Sequence, residues 1–302
     1  MKILVTGGAG FIGSHLVDAL IVAGHDVLIL DDLSTGSKKY INPKASFEQI
    51  EIQDKKVESL FGQFKPDIVY HLAAQKNVRV SLENPLFDAE VNILGGLNIL
   101  ESAKRVGAKK IIFVSSGGAI YDQAQGAADE EAPEMPLSPY GLAKQTIDNF
   151  LQYYHTIQGI ETLSFRPSNV YGPRQDPKGE AGVIALFFES MLEGNTSKIF
   201  GGKQTRDFVY VGDMVDALMT GITKGMGVYI VSTNTEISVD DLYDLQAKVA
   251  GSDTQAIHES YVEGEMMRSV LKYDKIKQDL GWEPKVTFEQ GLQLTWEWFK
   301  NR

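Results

Sequence analysis

Residues 6–13 read Thr-Gly-Gly-Ala-Gly-Phe-Ile-Gly. They follow the short apolar run Lys2–Thr6 and open the longer apolar stretch Phe11–Ala23. A tight turn from a buried strand into a helix needs positive φ, which glycine allows at little steric cost. Gly8, Gly10 and Gly13 satisfy G-x-G-x-x-G, and Gly7, Gly10 and Gly13 are evenly spaced by three. A backbone without side chains lets a pyrophosphate reach a helix N-terminus, where free N–H groups and the helix dipole favour anions. The third glycine lets the helix pack closely on the strand. The spacing alone is weak. Its place between a first strand and a first helix is the context a dinucleotide-binding turn requires.

The rest of the first half agrees with such a turn. Asp26–Asp31, Ile68–Ala73, Lys110–Ser115 and Glu161–Arg166 are short apolar strands, and helix-period segments such as Asn92–Val106 and Tyr140–Ile157 lie between them. Strands separated by long crossovers form a parallel sheet with right-handed connections. The expected fold is therefore α/β, a doubly wound parallel-sheet Rossmann domain with a smaller α/β substrate-binding domain. The expected division is 1–168 and 169–302, with part of 206–220 folding back on the first domain. A chain of 302 residues can bury such a core without staples. It has no cysteine, so disulfides, thiolate metal sites and cysteine nucleophiles are excluded. Its 29 basic and 40 acidic residues give a net charge of −11. That balance argues against nucleic acid or an anionic membrane as partner, while leaving room for an anionic ligand in a local pocket. No apolar window is long enough for a membrane span and the N-terminus is not a signal peptide, so a cytoplasmic enzyme is expected. The histidines show no ligand spacing, and no metal is expected.

Asp31 closes the second strand, 18 residues after Gly13. A carboxylate there accepts both hydroxyls of an adenosine ribose and repels a 2′-phosphate. Lys38 and Lys39 follow and offer charge to a 2′-phosphate. Read as solvated loop residues, they leave NAD favoured over NADP. Tyr140 and Lys144 stand at i, i+4 on one helix face. A phenol is a poor base at neutral pH, and an adjacent ammonium stabilises its phenolate. The pair is a candidate proton acceptor for a hydroxyl whose carbon loses hydride.

TGGAGFIGSH, LDDLSTGS, VYHLAAQ, SSGGAIY, SPYGLAK, VYGPRQDPKGEAGV, RDFVYVGD and LGWEP run in order along the chain. Together they resemble the extended short-chain dehydrogenase/reductase family, and within it the NAD-dependent nucleotide-sugar epimerases. The resemblance implies a UDP-sugar 4-epimerase that interconverts UDP-glucose and UDP-galactose. Hydride leaves sugar carbon 4, the 4-keto sugar rotates, and hydride returns to the opposite face. It further implies that Gly7, Gly10, Phe11 and Ile12 hold the cofactor pyrophosphate, and that Asp31, Asp32, Leu33, Ser34 and Gly36 hold the ribose. Glu51 and Ile52 fall at the adenine contact, where relatives carry Asp-Ile. Leu72, Ala73 and Ala74 line the cofactor, with Lys76 and Asn92 near the nicotinamide side. Ser115, Tyr140 and Lys144 sit by the nicotinamide ring. Asn169 and Arg206 meet the substrate diphosphate, and Phe200 lies near uracil. Other UDP-sugars, N-acetylhexosamines and glucuronate among them, remain alternatives, as do another nucleotide-sugar oxidoreductase or decarboxylase and, least favoured, a non-catalytic NAD-binding regulator.

The chain departs from the family pattern in places. Gly117 replaces a Ser or Thr that bonds the 4-oxygen in many relatives, which passes that role to Ser116, a water or Tyr140. Ser116 reads equally well as a structural serine at a strand end. Gly117-Gly118-Ala119 also lacks the Thr-Asp-Glu run of the 4,6-dehydratases. Val262 stands where a second diphosphate arginine is expected, so Arg206 carries more of the anchoring or Arg268 substitutes. Ser269 falls where some relatives place a bulky tyrosine, which predicts room for an N-acetylated sugar. The resemblance also implies a homodimer through a four-helix bundle of Asn92–Val106 and Tyr140–Ile157. Leu97, Leu100, Ile147, Phe150, Leu151 and Tyr154 recur there at helical spacing, some of them as core.

Overall fold

A computed structural model of the chain describes residues 1–121, 126–177, 182–261 and 266–302. The first half alternates strand and helix: β1 (Lys2–Thr6), α1 (Phe11–Val22), β2 (Asp26–Asp31), β3 (Ser46–Gln49), α2 (Lys56–Phe64) and β4 (Ile68–His71). Two short helices, α3 (Val78–Glu83) and α4 (Pro85–Ala89), lead through a π-helical turn at Glu90–Gly95 into α5 (Gly96–Val106) and β5 (Lys110–Val114). The short α6 (Gly117–Ile120), the long α7 (Pro139–Gln158) and β6 (Glu161–Pro167) follow. Beyond them come β7 (Asn169–Tyr171), α8 (Val183–Glu193), β8 (Ser197–Phe200), β9 (Thr205–Arg206), β10 (Phe208–Tyr210), α9 (Val211–Thr220) and β11 (Gly227–Val231). The chain ends in β12 (Ile237–Ser238), α10 (Val239–Ala250), β13 (Ala256–Glu259), β14 (Arg268–Ser269), α11 (Asp274–Leu280) and α12 (Phe288–Asn301).

Seven strands form one parallel sheet in the order β3-β2-β1-β4-β5-β6-β11. The order reverses between β1 and β4. Ligands of open α/β sheets bind in the crevice at that point, outside the carboxyl ends of the strands. One face of the sheet is covered by α1 and α9, whose Leu16, Leu20, Met214 and Leu218 meet Val5 and Ile29. The other face is covered by α2, α5 and α7, whose Phe61, Ile99 and Ile147 meet Leu4 and Val69. Both faces being buried explains why the strands read as continuous apolar runs rather than alternating ones. A separate core of Phe187, Phe188, Leu242, Trp296 and Phe299 joins α8, α10 and α12.

Three differences from the sequence reading have local causes. The sheet has two strands beyond the five named from sequence: β3 at one edge, and β11 at the other, a five-residue run that arrives long after β6 and follows positive-φ Gly225. The segment Asn92–Val106 begins as a π turn, because Asn92 turns inward to bond the loop after β4. Of the apolar residues expected to line a helix bundle, Leu100, Ile147, Leu151 and Tyr154 are buried in the sheet-facing core, with Leu97 and Phe150 packed against it. On these segments the exposed large apolar residues are Leu94, Leu142, Tyr153 and Ile157, and Leu82 and Leu86 are exposed on the preceding α3 and α4. Among the described residues no helix is long and apolar enough to cross a membrane.

Candidate active site

The crevice between β1 and β4 opens into a cavity of about 1490 Å³. Its floor is the glycine turn. Gly7 has φ +71°, and a Cβ there would stand 2.7 Å from the amide nitrogen of Ala73. The turn thus lies directly against the end of β4. A Cβ on Gly13 would collide with the carbonyl of Gly7, so the first turn of α1 packs against the loop that leads to it. No side chain caps α1 at Gly10, which leaves its N-terminal amides facing the cavity.

Asp31, 6% exposed, ends β2 beside that turn. Its carboxylate accepts the N–H of Ala9 and of Leu33, each at 2.9 Å. Burial raises its pKa, and these two hydrogen bonds oppose the rise. Asp32 accepts both the N–H and the hydroxyl of Ser34, which shapes the loop around the cavity rim. A Cβ on Gly36 would stand 2.7 Å from Asp31 Oδ1, so only glycine fits beside the carboxylate. Gly7, Gly10, Phe11, Ile12, Asp31, Asp32, Ser34, Gly36, Glu51 and Ile52 all line the cavity. Leu33 is absent from the wall, and its positive φ of 63° marks the bend of the loop.

The opposite wall is the segment after β4. Thr6 Oγ1 accepts the N–H groups of Leu72 and Ala73, both at 3.1 Å, and holds this segment over β1. Leu72, Ala73, Ala74 and Lys76 line the cavity, whereas Asn92 stands behind them. Asn92 accepts the N–H of Gln75 at 2.9 Å and donates to Gln75 O at 2.8 Å and to Asp88 at 2.9 Å. It is 5% exposed and fixes the loop from behind.

Ser115, Ser116, Tyr140 and Lys144 line the same cavity. Ser138 caps α7 by accepting the N–H of Gly141 at 3.1 Å, and Pro139 starts the helix. That places Tyr140 in the first turn, with Lys144 one turn later. Lys144 is 4% exposed. Its ammonium donates to Val114 O at 2.8 Å and lies 5.7 Å from the centre of the Tyr140 ring. Burial pushes its pKa down to about 8, against the pull of Asp148 and Asp88. His71, buried behind, is held neutral by burial and by Lys144. Asp148 accepts from Ser115 Oγ at 2.9 Å, Ser164 Oγ at 2.5 Å and Arg166 Nε at 2.8 Å. The hydroxyl of Ser115 is therefore committed to this buried network. Ser116 is different. It accepts the N–H of Ala119 at 3.3 Å, and its own O–H is not committed by that bond.

Gly117 has a steric reason. A Cβ there would overlap Leu271 Cδ1 and come within 3.2 Å of the carbonyls of Arg166 and Pro167. Leu271 fills the space that a Ser or Thr would need. Gly118 faces Ser269, whose Oγ lies 3.9 Å from where a Cβ would be.

The substrate-side residues are more scattered. Asn169 lines the cavity and donates to Asp207 O at 2.9 Å. Phe200, at the end of β8, is 44% exposed. Arg206 and Ser269 are register partners on β9 and β14. Phe200, Arg206 and Ser269 stand outside the cavity wall that the cofactor-side residues share. Arg268 is held bidentately by Glu236 on the surface. Val262 lies outside the described residues. The sequence reading missed Asp88, Asp148, Arg166, Tyr40 and Arg174. Asp148 is legible as i+4 from Lys144 and Asp88 as i−4 from Asn92. Arg174 falls inside the run VYGPRQDPKGEAGV without a sign of its contacts, and nothing local marks Arg166 or Tyr40. Among the described residues no cluster has the composition of a metal site.

Residues 3–231 match the family model described as the NAD dependent epimerase/dehydratase family. The chain is 40% identical over 312 residues to a UDP-glucose 4-epimerase of Mycolicibacterium smegmatis, covering 100% of this chain and 99% of that one. A solved UDP-glucose 4-epimerase of Thermotoga maritima with UDP-glucose superposes with a TM-score of 0.98 at 43% identity, covering 100% of this chain and 99% of the other. One from Thermus thermophilus in complex with NAD gives 0.95 at 40% identity, covering 99% of each chain.

Proposed function

The chain belongs to the NAD dependent epimerase/dehydratase family, and from that membership we propose that it interconverts UDP-glucose and UDP-galactose by inverting sugar carbon 4. The observation that carries the reading is Tyr140 beside a buried Lys144, both facing a cavity whose other end is the glycine turn and Asp31.

The dinucleotide end fits NAD on three counts. Gly7 and Gly13 leave no room for a Cβ, the first amides of α1 carry no side-chain cap, and Asp31 presents a carboxylate where a 2′-phosphate would need a cation. Gly7, Gly10, Phe11 and Ile12 would hold its pyrophosphate, and Asp31 with Asp32, Ser34 and Gly36 its ribose. Bound NAD supplies the hydride acceptor, and on return the donor, at sugar carbon 4.

Tyr140 takes the proton of the 4-hydroxyl as its carbon is oxidised and gives it back once the sugar has turned its other face. Lys144 stabilises the Tyr140 phenolate by charge, and burial strengthens that interaction. Ser116, whose Oγ accepts the N–H of Ala119, directs its own O–H at the 4-oxygen in place of the hydroxyl that Gly117 lacks. Asn169 and Arg206 anchor the diphosphate and Phe200 the uracil, so the sugar turns while the nucleotide stays. The run Gly117-Gly118-Ala119, which stands where the 4,6-dehydratases carry Thr-Asp-Glu, also speaks against dehydration, since it supplies neither the extra acid nor the extra base.

A second sugar class is favoured by one contact. Ser269 is small, buried and faces Gly118 outside the described cavity wall; its place in the family pattern supports room for the N-acetyl group of a UDP-N-acetylhexosamine. Failure with UDP-N-acetylglucosamine and with another 2-substituted analogue, beside good turnover of UDP-glucose, contradicts this. The exposed Leu94, Leu142, Tyr153 and Ile157 support a homodimer through Asn92–Val106 and Tyr140–Ile157. A monomer mass in light scattering at micromolar protein rules it out. The cytoplasm is the proposed compartment.

The test of the reaction is incubation with UDP-glucose and no added NAD. UDP-galactose in the NMR spectrum, with no net rise in reduced-nicotinamide absorbance, is expected. Net reduction without UDP-galactose points to a dehydrogenase instead.

A further inference from the structure

The turn after β7 carries a group that the proposed reaction does not use. Pro173 O receives the ring Nε2 of His15 on α1 at 2.9 Å. The next residue, Arg174, has φ +70°. A non-glycine residue holds that conformation only when its surroundings over-determine it. Those surroundings are visible. Arg174 Nη2 donates to Asp18 Oδ2 of α1 at 2.7 Å, and the guanidinium carbon lies 5.6 Å from the centre of the Tyr40 ring. The other oxygen of Asp18 accepts Asn42 Nδ2 at 2.7 Å. Three segments distant in sequence are thus tied at one guanidinium: the turn after β7, helix α1 and the loop between β2 and β3.

Arg174 and Tyr40 line the same cavity as Gly10 and Phe11. Arg174 Nη1 is buried and has no hydrogen-bond partner among the described residues. The Arg174 and Asp18 side chains are 24% and 35% exposed, a setting in which an ion pair adds little to stability. A strained backbone and a spare buried donor at a cavity wall are poor returns for so small a gain. They make sense if the knot serves a ligand.

We infer that Arg174 is a positioning residue for the dinucleotide: it fastens the turn after β7 across the dinucleotide end of the cavity and keeps the cofactor bound between turnovers. The inference rests on the reading that the cofactor is NAD.

The experiment uses the whole protein as wild type, Arg174→Ala, Arg174→Lys and Asp18→Asn. Each is loaded with NAD, freed of excess, and followed for NAD release into a chase of unlabelled cofactor, with total bound nucleotide measured after extraction. Release about tenfold faster or more is expected for Arg174→Ala and Asp18→Asn, with Arg174→Lys in between and the melting temperature of the cofactor-free proteins little changed. Release from Arg174→Ala at the wild-type rate overturns the inference. Should Arg174→Ala fail to fold, Asp18→Asn decides by the same rate. A wild-type protein that takes up no NAD breaks the cofactor reading itself, and this inference with it.

Discussion

At one end of the cavity the wall is mostly backbone: the glycine turn, the uncapped amides of α1 and a carboxylate clamped by two N–H groups. At the other end it is side chains, borne on the first turns of α7, on the three-residue β7 and on the turn after it. The contrast follows from what each end binds. A dinucleotide pyrophosphate is recognised by N–H groups and a helix dipole, which any sequence supplies if glycines permit the approach. A sugar is told from its epimer or its 2-substituted analogue by individual side chains, which can change one at a time. The backbone end should therefore fail as a unit when altered, and the side-chain end should fail in selective ways.

The largest effect is expected where the two ends meet. Tyr140→Phe removes the proton acceptor and should lower turnover by about 10²–10⁴ fold, with bound nucleotide unchanged. Unchanged turnover overturns the assignment.

A pair of glycine substitutions then separates the ends. Gly13→Ala forces a methyl against the Gly7 carbonyl and should cost about 1–3 kcal/mol of stability together with loss of cofactor. Gly117→Ser presses on Leu271 and should cost about as much in a melting experiment, yet leave bound NAD at the wild-type level. Equal cofactor loss in both would erase the distinction between the two ends.

A smaller, graded effect comes from pH. Burial pushes Lys144 down to about 8, against Asp148 and Asp88. Its ammonium is present below that pH and is lost as pH rises through it. Turnover should fall on the alkaline side of a pH–rate profile with an apparent group near 8, since the phenolate of Tyr140 loses its partner charge. A profile that stays flat well above that pH removes Lys144 from the proton-transfer role.

The same contrast governs what could be read from the amino-acid sequence. Lys2–Thr6, Asp26–Asp31 and the helix after the glycine turn are local patterns, so their strands and helix fall where periodicity puts them. Asp31 and the Tyr140–Lys144 pair are legible because one follows the turn at a fixed distance and the other is an i, i+4 spacing. The reason for Gly117 is not legible. It depends on Leu271, which is far away in sequence and reaches it only through the fold. Arg174 is silent for the same reason, since Asp18, Tyr40 and Asn42 converge on it only in three dimensions. The inward turn of Asn92 is also a tertiary choice, made by the loop after β4.

The most direct test of the central claim is a label at the reacting carbon. UDP-glucose carrying deuterium on sugar carbon 4 is converted by the protein and the product examined by NMR. Deuterium retained on carbon 4 of UDP-galactose is the result predicted for hydride that leaves and returns within one site. Deuterium lost to solvent, or UDP-glucose recovered with no UDP-galactose, contradicts it.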